Sequence, residues 1–252
     1  MRKQLYWLSD AEWKRLEPLL PRGRRGAHRV DDRRVISGIV HMLRSGARWR
    51  DCPPEYGPYT TIYNRFNRWS RQGLWFEIFE TLTGKTGIVG SVAIDSSHIK
   101  AHWSAAGGKG DFGQAIGRSR GGRTTKIHAV TDDQGRPRVL LLSPGNINDI
   151  ALAPALLAAA GPIQRLIADK AYDANSLRTL LAEQGAQAVI PSTTSRSQPI
   201  PYSKRLYRQR NLIERMFARL KDFRRIATRY DKLARNFLAG AFIAAAAIWW
   251  LN

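Results

Sequence analysis

Four polar residues near the C-terminus are spaced to share one face of a helix. The segment YRQRNLIERMFARLK, residues 207–221, contains strong helix formers and neither glycine nor proline. At about 100° per residue, Tyr207, Arg210, Glu214 and Lys221 fall within a stripe about 60° wide, beside an apolar face. A carboxylate set between two cations and a phenol could serve chemistry on a phosphate or a metal ion. An amphipathic helix with a solvated charged face accounts for the helix alone equally well.

Two further acids each follow a short apolar run that predicts a β-strand. Asp95 ends SVAID and Asp169 ends RLIAD, so both are expected at strand ends. Four other acids are better explained as helix caps or turn residues: Asp149, Asp173, Asp132 and Asp133.

The spacing Y-x2-R-x3-E-x6-K resembles the signature of the DDE transposases of bacterial insertion sequences. The stretches IDSSHIKAH, QAIGRSRGGRTTKIHAV, LIADKAYDA and RNLIERMFARLKDFRRIATRYDKLARNF resemble the insertion-sequence-five group, within the insertion-sequence-four-like superfamily. The resemblance thus covers nearly the whole chain. It implies that Asp95, Asp169 and Glu214 are the catalytic, metal-binding carboxylates. It also implies that Tyr207, Arg210 and Lys221 bind or orient the DNA strand near the cut. Ser97 stands where threonine is common in the group, a minor departure.

The cofactor that the resemblance implies is a pair of Mg²⁺ ions, for which Mn²⁺ can substitute. Two hard cations about 3.5 to 4 Å apart stabilise the attacking and leaving oxygens of a phosphodiester. Carboxylate oxygens suit such ions, with Asp95 bridging the pair and Asp169 and Glu214 each holding one. Without metal, mutual repulsion is expected to raise the pKa of at least one carboxylate or to swing it away.

Composition indicates a nucleic-acid partner and a reducing compartment. The 252-residue chain has a formal net charge of +21 and a pI near 11.0, which attracts polyanions. A ribosomal or chromatin-like packing protein has similar charge but needs neither the acidic positions nor eight tryptophans. Cys52, the single cysteine, excludes an internal disulfide and a cysteine-based zinc site. His98 and His102 have i,i+4 spacing, but no HExxH motif and no third soft ligand accompany them, so DNA contact or positioning of a metal-bound water is the favoured role.

The N-terminal third of the chain predicts a small helical domain that binds DNA. Ser9 and Glu12 form a capping-box pattern, Asp31 begins a second helix, and a third begins near Tyr59. The polar side of the third helix carries residues able to bond to base edges and phosphates: Thr60, Asn64, Arg68 and Arg71. A helix-turn-helix-like domain is therefore expected, with a helical docking domain as the alternative.

The remainder predicts an RNase H-like α/β domain. Three strands, then helix, strand, helix, strand and a final helix give a mixed sheet flanked by helices. In that fold the first and fourth strands are parallel neighbours, which brings Asp95 and Asp169 together. Residues 104–122 are expected to form a mobile loop that grips the phosphate backbone, although a disordered insertion fits the composition equally well. Its basic residues are Lys109, Arg118, Arg120 and Arg123, the last just beyond the loop.

The expected organisation is a helical domain over residues 1–83, a linker over 84–90 and a catalytic domain over 91–252. No secretion signal is expected, and the apolar run near the C-terminus is expected in the core. The predicted function is that of a transposase in the cytoplasm, at the nucleoid, which binds terminal inverted repeats of double-stranded DNA and cleaves and joins them as a dimer or larger complex. The alternatives are a catalytically silent DNA-binding regulator and an RNase H-like nuclease without strand transfer.

Overall fold

The computed structural model describes residues 4–21, 31–84, 90–106 and 114–251. Its α-helices in these ranges are α1 (Asp10–Leu16), α2 (Asp32–Ser45), α3 (Tyr59–Arg71), α4 (Leu74–Thr83), α5 (Ala153–Ala160), α6 (Asn175–Glu183), α7 (Lys204–Tyr207), α8 (Asn211–Lys221), α9 (Arg224–Ala227) and α10 (Ala234–Ala245). Its β-strands are β1 (Ser91–Ala101), β2 (Gly117–Ser119), β3 (Gly122–Thr131), β4 (Pro137–Pro144), β5 (Arg165–Ile167), β6 (Gln187–Val189) and β7 (Thr228–Arg229). The chain divides into two compact units, a helical unit (residues 1–84, 103–108 and 220–252) and a sheet unit (residues 85–102 and 109–219).

Local signals position the helices of the helical unit as predicted. Ser9 and Glu12 form a capping box at the start of α1, each accepting a backbone N–H bond from the other residue. The Asp31 side chain caps α2 by accepting from the Arg34 backbone N–H. Gly46 ends α2 in the left-handed conformation at φ 73°, which side chains rarely adopt.

The C-terminal helix lies in the helical unit. Helix α10 packs against α2, α3 and α4, and its Phe242 ring stacks on Phe79 with centroids 5.0 Å apart. An alanine-rich helix allows this close approach, because small side chains let backbones meet. The expected burial of the apolar C-terminal run is confirmed. No helix within the described ranges is both long and apolar enough to cross a bilayer.

The sheet unit holds a mixed sheet, as the sequence predicts. Strand β3 pairs antiparallel with β1 on one side and with β2 and β4 on the other. Strand β1 also pairs in parallel with β5, and β5 pairs in parallel with β6. Helices α5 and α6 bury their leucines against β1 and β5 in one apolar core that includes Leu156, Leu181, Val92 and Leu166. This core fixes the strands that carry the acidic residues.

Strand β1 is longer than predicted, so Asp95 lies within the strand and not at its end. Residues 96–101 continue the antiparallel pairing with β3 as far as Lys100 opposite Thr124. Ile99 is buried among polar neighbours, and this alternation suits a strand with one packed face. The parallel pairing with β5 does stop earlier, at Ala93.

The last residues of the expected mobile loop form regular structure. Residues 117–122 form β2 and a tight turn into β3, because Gly122 adopts a φ of 93° that permits the reversal. Arg118 and Arg123 are exposed and face each other across this hairpin, and Arg120 is exposed in its turn. Lys109 lies outside the described residues.

Candidate active site

Asp95 lies on β1, and Asp169 lies two residues beyond the end of the parallel neighbour β5. Ala93 pairs with Ile167 in the β1–β5 register, and each aspartate lies two residues further along its strand direction. The expected adjacency of the first and fourth predicted strands is therefore observed. Asp169 Oδ1 accepts a hydrogen bond from the Ala171 N–H at 2.9 Å, which caps the short 3₁₀ turn Lys170–Tyr172. That bond fixes the carboxylate at the end of β5.

Arg210 joins Asp95 to Glu214. Its Nη1 donates to Asp95 Oδ2 at 2.8 Å, and its Nη2 donates to Glu214 Oε1 one helical turn away. The Asp95 side chain is 17 % exposed and that of Glu214 is 53 % exposed. A single guanidinium thus pairs with two of the three predicted catalytic carboxylates.

The segment that carries Arg210 and Glu214 is not one continuous helix. Helix α7 ends at Tyr207, a 3₁₀ turn spans Arg208–Arg210, and α8 begins at Asn211. Such a turn rotates each residue by about 120° instead of about 100°, so residues three apart eclipse, and Tyr207 and Arg210 stay on one side of the axis as the predicted stripe requires. Tyr207 contacts the Tyr202 ring edge-on at 5.5 Å. Lys221 ends α8 within the helical unit, where burial lowers its pKa.

The Asp95 carboxyl group has a raised pKa, as expected for one member of the group. Burial is the largest cause and raises the pKa to about 6, helped by the charges of Asp169 and Asp149. The Ser96 N–H bond and the Arg210 charge oppose this shift. The Arg210 charge therefore stabilises the ionised form of Asp95 and partly offsets the effect of burial on its pKa.

A fourth acid, Asp149, faces the same site and was assigned by sequence only to a helix cap. Its Oδ1 accepts from Ser96 Oγ at 2.7 Å and from Lys126 Nζ at 2.8 Å, while Asn148 occupies the N-cap position. Lys126 also donates to the Ile147 carbonyl oxygen at 2.7 Å. This cluster ties β1 to β3 and to the segment after β4 beside Asp95. Sequence offered no signal for it, because its members are far apart along the chain.

Asp173 is structural, but it is not the helix cap that the sequence suggests. Ala174 precedes α6 without a side-chain cap, while Asp173 is fully buried between Arg178 and Arg196. Burial raises its pKa, but hydrogen bonds from Arg196, the Thr193 N–H and Arg178 outweigh that effect and lower it well below its usual range.

On α3, the residues predicted to read DNA share an exposed face. Thr60, Asn64, Arg68 and Arg71 are all exposed, whereas Ile62, Phe66 and Trp69 are buried. A 13-residue connection, residues 46–58, joins α2 to α3 and contains two short 3₁₀ turns. The face is therefore available to a ligand, and its use in DNA binding stays a prediction.

The donor set suits a hard divalent cation, although it is not assembled as a metal site. Among the described residues, no three His, Cys, Asp or Glu side chains are gathered closely enough to hold a metal ion. The Asp95, Asp169 and Glu214 oxygens are nevertheless the ligand type that Mg²⁺ prefers. Two of them already share a cation, the Arg210 guanidinium. The residues present therefore fit the cofactor, and the zinc alternative at His98 and His102 gains no support.

Comparisons with known proteins agree with this geometry. Residues 91–249 match the family described as "Transposase DDE domain". The chain belongs to this DDE transposase family. Residues 8–79 of the transposase match a second family, "Putative transposase of IS4/5 family". The RNase H-like fold predicted from sequence is confirmed for its catalytic domain.

Relatives of this transposase also come from insertion sequences. It is 39 % identical over 127 residues to the "Putative transposase for insertion sequence element IS6501" of Brucella ovis, a match covering 50 % of this chain and 98 % of the relative. It is 31 % identical over 130 residues to the "Putative transposase for insertion sequence element IS402" of Burkholderia cepacia, covering 47 % of this chain and 58 % of the relative.

Proposed function

We propose that this transposase binds the terminal inverted repeats of its insertion sequence, cleaves the DNA at those ends and joins the 3′-hydroxyls to target DNA. The observation that supports the proposal is the double contact of Arg210 with Asp95 and Glu214, while Asp169 lies just beyond the neighbouring strand β5. An acid on each of three separate elements is an arrangement that suits phosphodiester chemistry. An ordinary surface carboxylate on an amphipathic helix would not be linked to an acid on a central strand. Glu214 is linked to Asp95 in this way, through the shared Arg210 guanidinium.

Asp95, Asp169 and Glu214 would hold the divalent cations. When bound, these ions stabilise negative charge on the attacking and leaving oxygens of the scissile phosphate. The chain's own residues orient the DNA around them. Arg210 is placed to contact a phosphate once cations take over its carboxylate partners, because a guanidinium forks onto phosphate as readily as onto carboxylate.

Backbone binding is supported by the β2–β3 hairpin. Arg118 and Arg123 pair directly across the two strands, and like charges at opposite positions destabilise a hairpin. A phosphate between them removes that repulsion. With Arg120 in the turn, the hairpin presents three exposed guanidiniums that are suited to track a DNA backbone.

Reading of the terminal repeats is assigned to residues 1–83, through the exposed face of α3. Asn64 and Arg68 lie one helical turn apart on that face. Asparagine pairs with adenine and arginine with guanine in the major groove, so both side chains suit base readout. Bringing two transposon ends together requires at least a dimer on DNA.

Three amide substitutions test the catalytic assignment: Asp95→Asn, Asp169→Asn and Glu214→Gln. Each is nearly isosteric, so each variant is expected to fold and bind ends while losing both cleavage and joining in Mg²⁺. Single-turnover cleavage of an end-containing duplex measures the first step, and strand transfer of a pre-cleaved end measures the second. A near wild-type rate for Glu214→Gln would mean that α8 is not the active-site helix. If the wild-type protein cleaved the duplex but formed no joined product, the protein would instead be a nuclease without strand transfer.

A further inference from the structure

Tyr172 carries a buried hydroxyl that has no use in the fold. The side chain is 0 % exposed and packs in the apolar core beneath β1 and β5. No described residue lies within hydrogen-bond distance of its Oη. A buried polar group without a partner is destabilising, so such groups are rare unless water or a ligand satisfies them.

Tyr172 lies near the acidic residues. Besides burial, the charges of Asp149, Asp95 and Asp169 all raise its pKa, in that order of importance. The short turn Asp149–Leu152 packs against the turn Lys170–Tyr172, so the two segments that carry Asp149 and Tyr172 are in contact.

Those carboxylates are already engaged by other donors. Asp149 Oδ1 receives Ser96 and Lys126, while Asp169 Oδ1 receives the Ala171 N–H. Asp95 receives the Ser96 N–H on one oxygen and Arg210 on the other. The phenol lies near these acceptors but bonds to none of them, and a bridging water with several polar partners would satisfy its hydroxyl.

We propose that Tyr172 is a positioning residue of the active site, whose hydroxyl donates a hydrogen bond to a water molecule held among Asp95, Asp149 and Asp169. The inference rests on the proposed function, because it assigns Tyr172 to the site at which the cations bind. Hydrogen-bond partners one step behind a metal ligand orient the ligating groups, and losing one weakens metal affinity by about 10- to 100-fold. Tyr172 thereby acts through the carboxylates and their water, without touching DNA.

The test is Mn²⁺ titration of the DNA-free protein by calorimetry, comparing wild type with Tyr172→Phe. The substitution removes one oxygen that bonds to no described residue, so the variant is expected to fold normally. We expect Mn²⁺ to bind about tenfold more weakly to the variant. Mn²⁺ affinity within about twofold of wild type, with thermal unfolding unchanged or shifted upward, would overturn the inference, because a merely unpaired hydroxyl behaves in that way.

Two further variants separate the possible failures. Tyr56 is also fully buried, but its hydroxyl donates to the Tyr6 carbonyl oxygen at 2.6 Å in the helical unit. Tyr56→Phe is expected to lower the unfolding temperature and leave Mn²⁺ affinity unchanged, so an equal loss of affinity there would count against a specific role for Tyr172.

Asp95→Asn is expected to lose Mn²⁺ binding. Wild-type affinity in that variant would overturn the proposed cation site itself, whereas loss in Asp95→Asn but not in Tyr172→Phe would overturn only the role of Tyr172.

Discussion

Arg210 donates a hydrogen bond to Asp95 across 2.8 Å, although 115 positions separate the two residues in the chain. The same guanidinium is bound to Glu214, so the ion pair closes the gap between a central strand and the last helix of the sheet unit. Since like-charged carboxylates repel, a cation at this point stabilises their convergence when no metal is bound. Divalent cations would therefore compete with the Arg210 guanidinium for the Asp95 and Glu214 carboxylates.

Replacing Arg210 is expected to separate cation binding from catalysis. Arg210→Gln removes a positive charge next to Asp95 and Glu214, worth about 1 kcal/mol at about 4 Å in water-like surroundings. Mn²⁺ affinity of the DNA-free protein is then expected to rise about fivefold, while DNA cleavage falls because the phosphate contact is lost. Arg210→Lys keeps the charge and serves as the control, with Mn²⁺ affinity close to wild type. Unchanged Mn²⁺ affinity in Arg210→Gln would show that the guanidinium does not compete with cations.

DNA binding is expected to be strongly dependent on salt. With about 6 to 10 phosphate contacts, affinity falls roughly 10³- to 10⁵-fold between about 50 and 200 mM salt as counterions are released. Arg118→Gln and Arg123→Gln are each expected to reduce the slope of log affinity against log salt by about 1. Arg165 is the matched control, because it lies at the start of β5, away from the carboxylates, and bonds to Gln187 and Ser91. If Arg165→Gln changed this slope as much as Arg118→Gln, the β2–β3 hairpin would not be a specific part of the DNA-binding surface.

Base readout by α3 predicts a position-specific defect. Asn64→Ala or Arg68→Ala is expected to cost about 1 to 3 kcal/mol at one base pair of the terminal repeat and to leave non-specific binding nearly intact. Competition between repeat and scrambled duplexes, with each base pair of the repeat varied in turn, measures this. If wild type, Asn64→Ala and Arg68→Ala all selected the repeats equally well, the bases would be read by residues other than these two.

Asp173→Asn is expected to reduce stability and not chemistry. The carboxylate is fully buried between Arg178 and Arg196, and breaking such a pair leaves uncompensated charge at a cost of about 3 to 5 kcal/mol. Denaturant unfolding measures the loss. Asp133→Asn is the control, since that acid is exposed in a turn and its substitution is expected to change stability by less than about 0.5 kcal/mol. A stable Asp173→Asn protein that cannot cleave DNA would instead place Asp173 in the catalytic machinery.

His128 predicts a loss of stability at acidic pH. Burial lowers its pKa to about 4, against about 6.5 in the unfolded chain. Between these two pKa values the unfolded state binds a proton at His128 and the folded state does not. The contribution of neutral His128 to the free energy of unfolding is therefore complete above about pH 6.5 and is lost as pH falls towards 4. At pH 5 the loss is about 2 kcal/mol. His128→Gln, which can keep a bond to Ser143, is expected to lose that part of the pH dependence in unfolding experiments at pH 7 and pH 5. Identical pH dependence in both proteins would mean that folding does not lower the pKa of His128.

Short-range patterns in the sequence were sufficient for much of the fold. The capping box at Ser9, the left-handed Gly46 and the polar face of α3 depend on residues within a few positions of one another, so periodicity and cap chemistry predict them. The parallel pairing behind Asp95 and Asp169 was expected from the RNase H-like fold, which the order of the predicted strands and helices indicates.

Contacts between distant segments depended on the tertiary structure. The length of β1 is determined by β3, which supplies backbone partners beyond Asp95, and the Arg210 bridge exists only once α8 lies against that strand. Asp149 looks like a helix cap until folding brings Lys126 and Ser96 to it. The sequence by itself indicated three candidate acids, through their spacing and through the family that these motifs resemble. Tertiary structure decided which cations and hydroxyls surround them, because electrostatic and hydrogen-bond partners are selected by distance in space and not by spacing along the chain.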